Sequence, residues 1–163
     1  MINSADIWGD VMYRKAGAED CAQIYDLICD MEETKLPFDK FCEIFYNQLN
    51  DEHYFCLVYD QGESVIAVLN LRFEEQLHHS AYIAEIMEFV VAPGNRNRGV
   101  GKAMLEEANR IAIKHGCIQI EVACNQLRKD THRFYIREGM KNYHYRFSKP
   151  LTGIMDAENS IGR

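Results

Sequence analysis

No apolar run in this sequence approaches the ~20 residues that a helical membrane span requires. The opening residues, Met1 to Asp6, carry neither a basic nor an apolar segment of the kind that directs secretion. None of the six cysteines (21, 29, 42, 56, 117 and 124) stands in a Cys-x-x-Cys pair, and most lie inside apolar runs. They read as reduced core residues of a cytoplasmic protein, which excludes a disulfide frame and a structural zinc site. Breakers are scarce: there are three prolines, and two of them, Pro37 and Pro93, fall where the apolar periodicity changes. Positive charge is also short overall. The net charge of −7 argues against nucleic acid as the partner.

What is present is a 163-residue chain with 47% hydrophobic and 26% charged residues, enough for one domain with one core. Its charge is divided unevenly. Residues 94–149 hold twelve Lys and Arg against five Asp and Glu, whereas the rest holds six against twenty.

The basic part contains the most informative stretch. An apolar strand-like run, Ile86 to Val91, meets Pro93-Gly94, and then Arg96-Asn97-Arg98-Gly99-Val100-Gly101-Lys102. Apolar residues recur at Val100, Met104, Ala108 and Ile111, one face of a helix. The order is therefore strand, basic glycine loop, helix. A helix start without side chains at Gly99 and Gly101 leaves backbone N–H groups turned outward to an anion, with Arg96, Arg98 and Lys102 beside them. Walker spacing fails here, and the third glycine of a dinucleotide fingerprint is missing.

Arg-x-x-Gly-x-Gly after Val91-Ala92-Pro93 resembles the acetyl-CoA loop of the GNAT N-acetyltransferases. A second segment, Asp130 to Met140, is similar to that family's Ala-x-x-Phe-Tyr-x-x-x-Gly-Phe motif, with Thr131 and Met140 as departures. The resemblance implies acetyl-CoA as co-substrate. Its pantetheine arm would lie along Phe89, Val90 and Val91, and its pyrophosphate over Asn97 to Lys102, with Arg96 beside it. Tyr135 would serve the departing thiolate, and the contact that the family makes through an asparagine would fall to Asn125, since Arg128 occupies the usual place. Glu85, Glu88 and Glu121, each in an apolar strand, are the candidate bases, acting directly or through water.

Asp26 to Met31, Leu77-His78-His79 with Ile83 to Val91, and Asp130 to Gly139 with His144 to Lys149 are similar, more narrowly, to the bacterial aminoalkylphosphonate N-acetyltransferases. That points to a small primary amine as acceptor, with Arg72, His78 and Arg146 as acceptor-binding candidates. A protein N-terminus, a polyamine, an aminoglycoside, or CoA binding without turnover stand as alternatives. The resemblance also admits a divalent metal, although adjacent histidines are poor joint ligands on a strand. A homodimer is a further option.

In chain order the pattern predicts a tail over 1–10, a strand at Val11 to Lys15, and helices on Ile24 to Met31 and from Phe38 to Leu49. A hairpin follows (Tyr54 to Tyr59 and Ser64 to Phe73), then a polar loop to Ser80 and a strand from Ile83 to Val91. Next come a helix over 99–115, a strand from Cys117 to Cys124, a helix from Thr131 to Glu138, a last strand from Tyr143 to Phe147, and a tail from Leu151. This β-α-α-β-β-β-α-β-α-β order is an α/β chain with a mixed, mostly antiparallel sheet: the GNAT fold, as a single domain over 1–163.

Overall fold

The computed structural model describes residues 12–62 and 64–151. The chain forms two compact units, Met1–Val122 and Ala123–Arg163.

In the first unit five strands lie in the order β1-β2-β3-β4-β5. They are β1 (Met12–Lys15), β2 (Tyr54–Asp60), β3 (Val65–Gln76), β4 (Ala81–Val91) and β5 (Gln119–Val122). The first three neighbouring pairs are antiparallel and β4–β5 is parallel. Three helices belong to the same unit: α1 (Cys21–Glu32), α2 (Phe38–Leu49) and α3 (Val100–Lys114). The α/β class, the mixed sheet and the flanking helices agree with the pattern read from the sequence.

β3 is central, and Val65 to Leu71 is buried without a break, so both of its faces meet core. Val68 on β3, Cys56 and Val58 on β2 and Val90 on β4 pack with Ile24, Leu27 and Ile28 of α1 and Phe45 of α2. The alternate residues, Leu69, Leu71 and Phe73, face α3; His115, at the end of that helix, stacks on Phe73 at 4.0 Å. Each fully buried leucine or valine here contributes about 1.5–3 kcal/mol. α2 matches its expected bounds because Pro37 sets its start and Phe38, Phe41 and Phe45 repeat at helical spacing.

Three expectations need correction. The polar loop over 73–80 is shorter than expected: β3 continues to Gln76 and only residues 77–80 turn, because Glu74, Glu75 and Gln76 pair with Ile83, Tyr82 and Ala81. Acidic residues before the Ile24–Met31 periodicity suggest a helix with Glu19 and Asp20 in its first turn, but they lie in a 3-10 turn ahead of α1. In the second unit, α4 (Lys129–Arg137) forms and ends at Gly139, whose φ of 89° suits glycine. The last expected strand does not form among the described residues. Tyr143, Tyr145 and Phe147 are exposed there. Alternation supplies an apolar face but no hydrogen-bonding edge, and a lone strand has nothing to satisfy its backbone. Val11 and the two tails, apart from Leu151, lie outside the described residues.

One buried charge ties the first unit together. Asp20, 2% exposed, accepts both guanidinium N–H groups of Arg14, at 2.6 and 2.9 Å, and the Gly17 N–H at 2.7 Å. Arg14 also reaches Asp60 on β2 at 2.7 Å. The Arg14 guanidinium holds the Asp20 carboxyl below the usual carboxylate range, against the opposing effect of burial. Its contribution is therefore complete above the unfolded value of about 3.9 and is lost as pH falls through the lower folded value. We expect Asp20→Ala to cost about 3 kcal/mol in urea unfolding at neutral pH and to flatten the loss of stability below about pH 4. Equal stability of the two proteins at pH 7 would show that the clamp is dispensable.

Candidate active site

The glycine loop follows β4 directly. A 3-10 turn, Pro93–Asn95, closes the strand end, and the Arg96 Nε donates to the Val91 carbonyl at 3.0 Å. Asn97 (φ 59°) and Gly99 (φ 83°) are left-handed, whereas Arg98 between them is not. Alternating handedness turns successive N–H groups toward one concave side, the geometry of an anion nest. Gly99 N-caps α3 without a side-chain cap, so the first N–H groups of the helix, from Val100 to Lys102, meet no capping side chain. Arg96, Arg98 and Lys102 are exposed and Val100 is buried. Gly101 lies inside the helix without a positive φ. Only Gly99 is demanded by backbone conformation; at Gly101 a missing side chain matters for close approach alone.

Next to this loop the sheet parts. β5 pairs with β4 from Ile83 to Ile86 and stops at Val122, while β4 runs on to Val91. Past Ile86, that edge of β4 has no strand beside it among the described residues. Phe89 and Val91 are partly exposed and Val90 is buried against α1 and α2. An extended ligand carrying amide groups fits such an edge as an added strand would.

At the parting point β4 carries a bulge. Asn70 faces Glu88 but Leu71 faces Ile86, so Met87 has no opposite number on β3. Glu85 and Glu88, three apart, would point to opposite faces of a regular strand. With the bulge, Glu85 stands opposite Arg72 and Glu88 opposite Asn70, and Asn70 and Arg72 share the face that carries Val68. Glu121 is paired with Glu85 in the parallel ladder and joins them. The bulge thus gathers all three candidate bases onto the face covered by α1 and α2, and nothing in the sequence marks it.

The three carboxylates differ. Glu85 accepts from Arg72 at 2.6 Å, and the same guanidinium lies 2.8 Å from Glu74. Glu121 is 38% exposed at its side chain, accepts from Gln119 at 2.6 Å and lies 3.7 Å from the His79 Nε2. Glu88 is partly buried, and burial pushes its carboxyl above the usual carboxylate range; the Asn70 amide opposes this, and the charges of Glu32 and Glu85 add to it. Of the three, Glu88 has the environment of a base poised to take a proton.

Among the acceptor candidates, Arg72 is already held by two carboxylates. His78 is exposed in the 77–80 turn with its ring 4.3 Å from that of His79. Among the described residues no group of three or more His, Cys, Asp or Glu is placed to hold a metal ion. The divalent metal admitted from the sequence finds no such donor set among the described residues.

In the second unit, Tyr135 is 8% exposed, with Phe134 edge-on at 5.3 Å. Burial pushes its phenol above the ordinary value of 10, the Cys124 thiol adds to this, and Arg128 opposes it. The group is a hydroxyl donor at any working pH. Asn125 is exposed, and its Oδ1 accepts the Leu127 N–H at 2.9 Å, so that oxygen is used in the turn before α4. Arg146 is exposed.

Residues 18–140 match the model of the acetyltransferase (GNAT) family. The chain belongs to that family. It is 37% identical over 139 residues to an aminoalkylphosphonate N-acetyltransferase of Salmonella typhimurium, covering 85% of this chain and 90% of the relative. Its fold is similar to that of a transcriptional regulator from Bacillus halodurans, with a TM-score of 0.81 and 23% identity, over 86% of this chain and 99% of the other. It is also similar to that of a glucosamine-6-phosphate N-acetyltransferase from Arabidopsis thaliana (TM-score 0.72, 19% identity, 86% and 98% coverage). As a GNAT acyltransferase, the protein uses acetyl-CoA as co-substrate with an amine acceptor. No helix among the described residues is long and apolar enough to cross a membrane.

Gly99→Val places a β-branched residue at φ 83°, a strain of about 1–3 kcal/mol that the loop can relieve only by leaving its nest. Calorimetric titration with CoA should show affinity reduced at least about tenfold while circular dichroism stays native. Wild-type affinity in the folded variant would remove the pyrophosphate from this loop.

Proposed function

We propose that this GNAT enzyme transfers acetyl from acetyl-CoA to the primary amine of a small molecule, with an aminoalkylphosphonate as the acceptor. The observation that carries the reading is the Glu88 carboxyl, made more basic by burial and set on β4 where β5 leaves it. The aminoalkylphosphonate N-acetyltransferase of Salmonella typhimurium, to which the chain is 37% identical, supports the acceptor.

In this reading the pantetheine lies along Phe89 to Val91 and the pyrophosphate meets Asn97 to Lys102, with Arg96 beside it. An ammonium has no lone pair, so the acceptor first gives a proton to Glu88, directly or through water. Its nitrogen then bonds to the thioester carbonyl carbon. Collapse of the tetrahedral adduct breaks the C–S bond, and the electron pair leaves with sulfur. The adduct nitrogen gives up its second proton, which the thiolate takes directly or through water to leave CoA as the thiol.

Tyr135 meets that thiolate as a hydrogen-bond donor. A thiol near 8.5 and an ordinary phenol near 10 make full proton transfer uphill by about 2 kcal/mol, and burial of Tyr135 raises that cost further. Donating without surrendering the proton is the role its environment favours. Tyr135→Phe should lower kcat about 100-fold with acetyl-CoA affinity nearly unchanged, read by stopped-flow and equilibrium binding. A wild-type chemical step in that variant would assign sulfur to another donor. Glu88→Gln should lower kcat/KM at neutral pH by about 100-fold or more and abolish the acid limb of the pH profile.

A second reading has its own support. Glu85, Glu88 and Glu121 share one face, where the single arginine of the row, Arg72, is engaged by Glu85 and Glu74. Such a face suits a cationic acceptor, a polyamine or an aminoglycoside. A phosphonate would have to draw Arg72 from Glu74, since a paired-donor fork is what a dianion requires. Acetyl-CoA consumption measured with aminomethyl- and aminoethylphosphonate, spermidine, an aminoglycoside and a neutral alkylamine separates the two. The phosphonates should give the highest kcat/KM. Equal turnover of phosphonate and neutral alkylamine would remove the reason for an anion site.

A further inference from the structure

Among the described residues two polar side chains are buried: Asp20, in its ion-paired clamp, and Asn70, 7% exposed in the middle of the apolar run of β3. A leucine or valine would suit that position for packing. Asn70 instead uses its amide in two directions. Its Nδ2 donates to the Glu88 Oε2 at 2.9 Å, across the strand pair, and to the Gln48 Oε1 at 2.9 Å, from α2. Its Oδ1 is buried with no hydrogen-bond partner. Asn70 also lines a cavity bounded by Lys15, Phe45, Gln48, Tyr54 and Cys56, with room for about one water molecule.

The polarity of this chain of amides is set at its end. An ionised carboxylate only accepts, so Asn70 must turn its NH2 toward Glu88. Gln48 then meets the second N–H with its oxygen, which fixes the asparagine against rotation about its terminal bond. A protonated Glu88 would lose part of this match, because a carboxylic O–H facing an NH2 finds no acceptor. The arrangement therefore favours the charged carboxylate within a site whose burial favours the neutral one.

We propose that Asn70, braced by Gln48, is a positioning residue that orients the Glu88 carboxylate and sets the pH at which it becomes available as a base. This rests on Glu88 as the base of the proposed reaction. The other titratable groups that act on Glu88 are Glu32 at the end of α1 and Glu85 on β4, both raising its protonation. Cys56 on β2 feels the charge of Glu88 in turn, and Lys15 on β1 lines the adjoining cavity. Arg72 is committed to Glu74 and Glu85. Asn70 is thus a hydrogen-bond donor to this carboxylate that works against its burial.

Two measurements test the assignment on the full chain. The first follows the Glu88 carboxyl itself by NMR of protein labelled with carbon-13 at glutamate carboxyls, the resonance being assigned with Glu88→Gln. The second is the pH profile of kcat/KM. Asn70→Leu should raise the Glu88 titration, and with it the acid limb, by about one pH unit. Asn70→Asp, nearly isosteric and so a safeguard should the leucine variant fail to fold, should raise it further, since two carboxylates at this spot must share a proton. Gln48→Met should give a smaller shift in the same direction. The KM for acetyl-CoA should stay unchanged in all three. A merely structural asparagine would lower stability without moving either titration, and an unmoved Glu88 resonance in the folded Asn70 variants overturns the proposal. If Glu88→Gln keeps the wild-type rate, the base assignment falls instead, and the NMR shift still decides whether Asn70 governs the carboxylate.

Discussion

The feature on which the site depends is one extra residue in β4. Without the bulge at Met87, Glu85 and Glu88 could not share a face, because successive side chains alternate across a strand. One of them would turn toward α3 and the hydrophobic layer of Leu69, Leu71 and Met104. The bulge falls one residue beyond the last β4–β5 pair, Ile86 with Val122. The edge that could receive an extended ligand and the carboxylate that could take a proton thus begin at the same point of one strand. A bulge also increases local twist, which is consistent with β5 diverging there rather than following β4 to its end.

How far this could be read from sequence depended on whether a feature has a local signal. The glycine loop does: Pro93, Gly94, Gly99 and Gly101 punctuate it, and the apolar spacing from Val100 declares the helix. α2 does also, through Pro37 and three spaced phenylalanines. The bulge has none, since Met87 is an ordinary strand residue without a glycine beside it. Asn70 was equally hidden, because one polar residue in Val65 to Leu71 looks like a solvent-facing position; only the register shows that it faces Glu88. The Tyr143–Phe147 alternation was a true pattern without a partner, and strand formation needs both. Arg72 was legible as a cation but not as one already held by Glu74 and Glu85, since those contacts arise across strands.

The two buried polar residues show what separates a structural device from a site. Asp20 itself is well satisfied: two N–H groups of one guanidinium and one backbone N–H meet its oxygens. The second carboxylate of the clamp, Asp60, shares the same arginine through Oδ2 while its Oδ1 is buried without a hydrogen-bond partner. Such a network fixes β1, the 3-10 turn and β2 in register, and its titration lies outside the range in which the enzyme would work. Asn70 is incompletely satisfied, with one amide oxygen left without a partner. Buried polar groups in that condition call for an explanation beyond packing, and here the amide nitrogen lies on a carboxylate that burial pushes above the usual range.

That pairing of opposed effects has a chemical logic. A base must be ionised at the working pH yet hold a proton once it has taken it, so a carboxyl near its ordinary value is too weak and one raised without limit is already protonated. Burial alone drives Glu88 in the second direction, and the like charges of Glu32 and Glu85 add to it. One charge-assisted hydrogen bond is stronger than a neutral one and is of the right order to oppose such a shift without erasing it. The donor must also be unable to give up its proton, or it would compete with the ammonium for the base. An amide meets that condition where a lysine or a protonated histidine would not. Placing it on the central strand, braced from α2 by Gln48, keeps it fixed beside the Glu88 carboxylate.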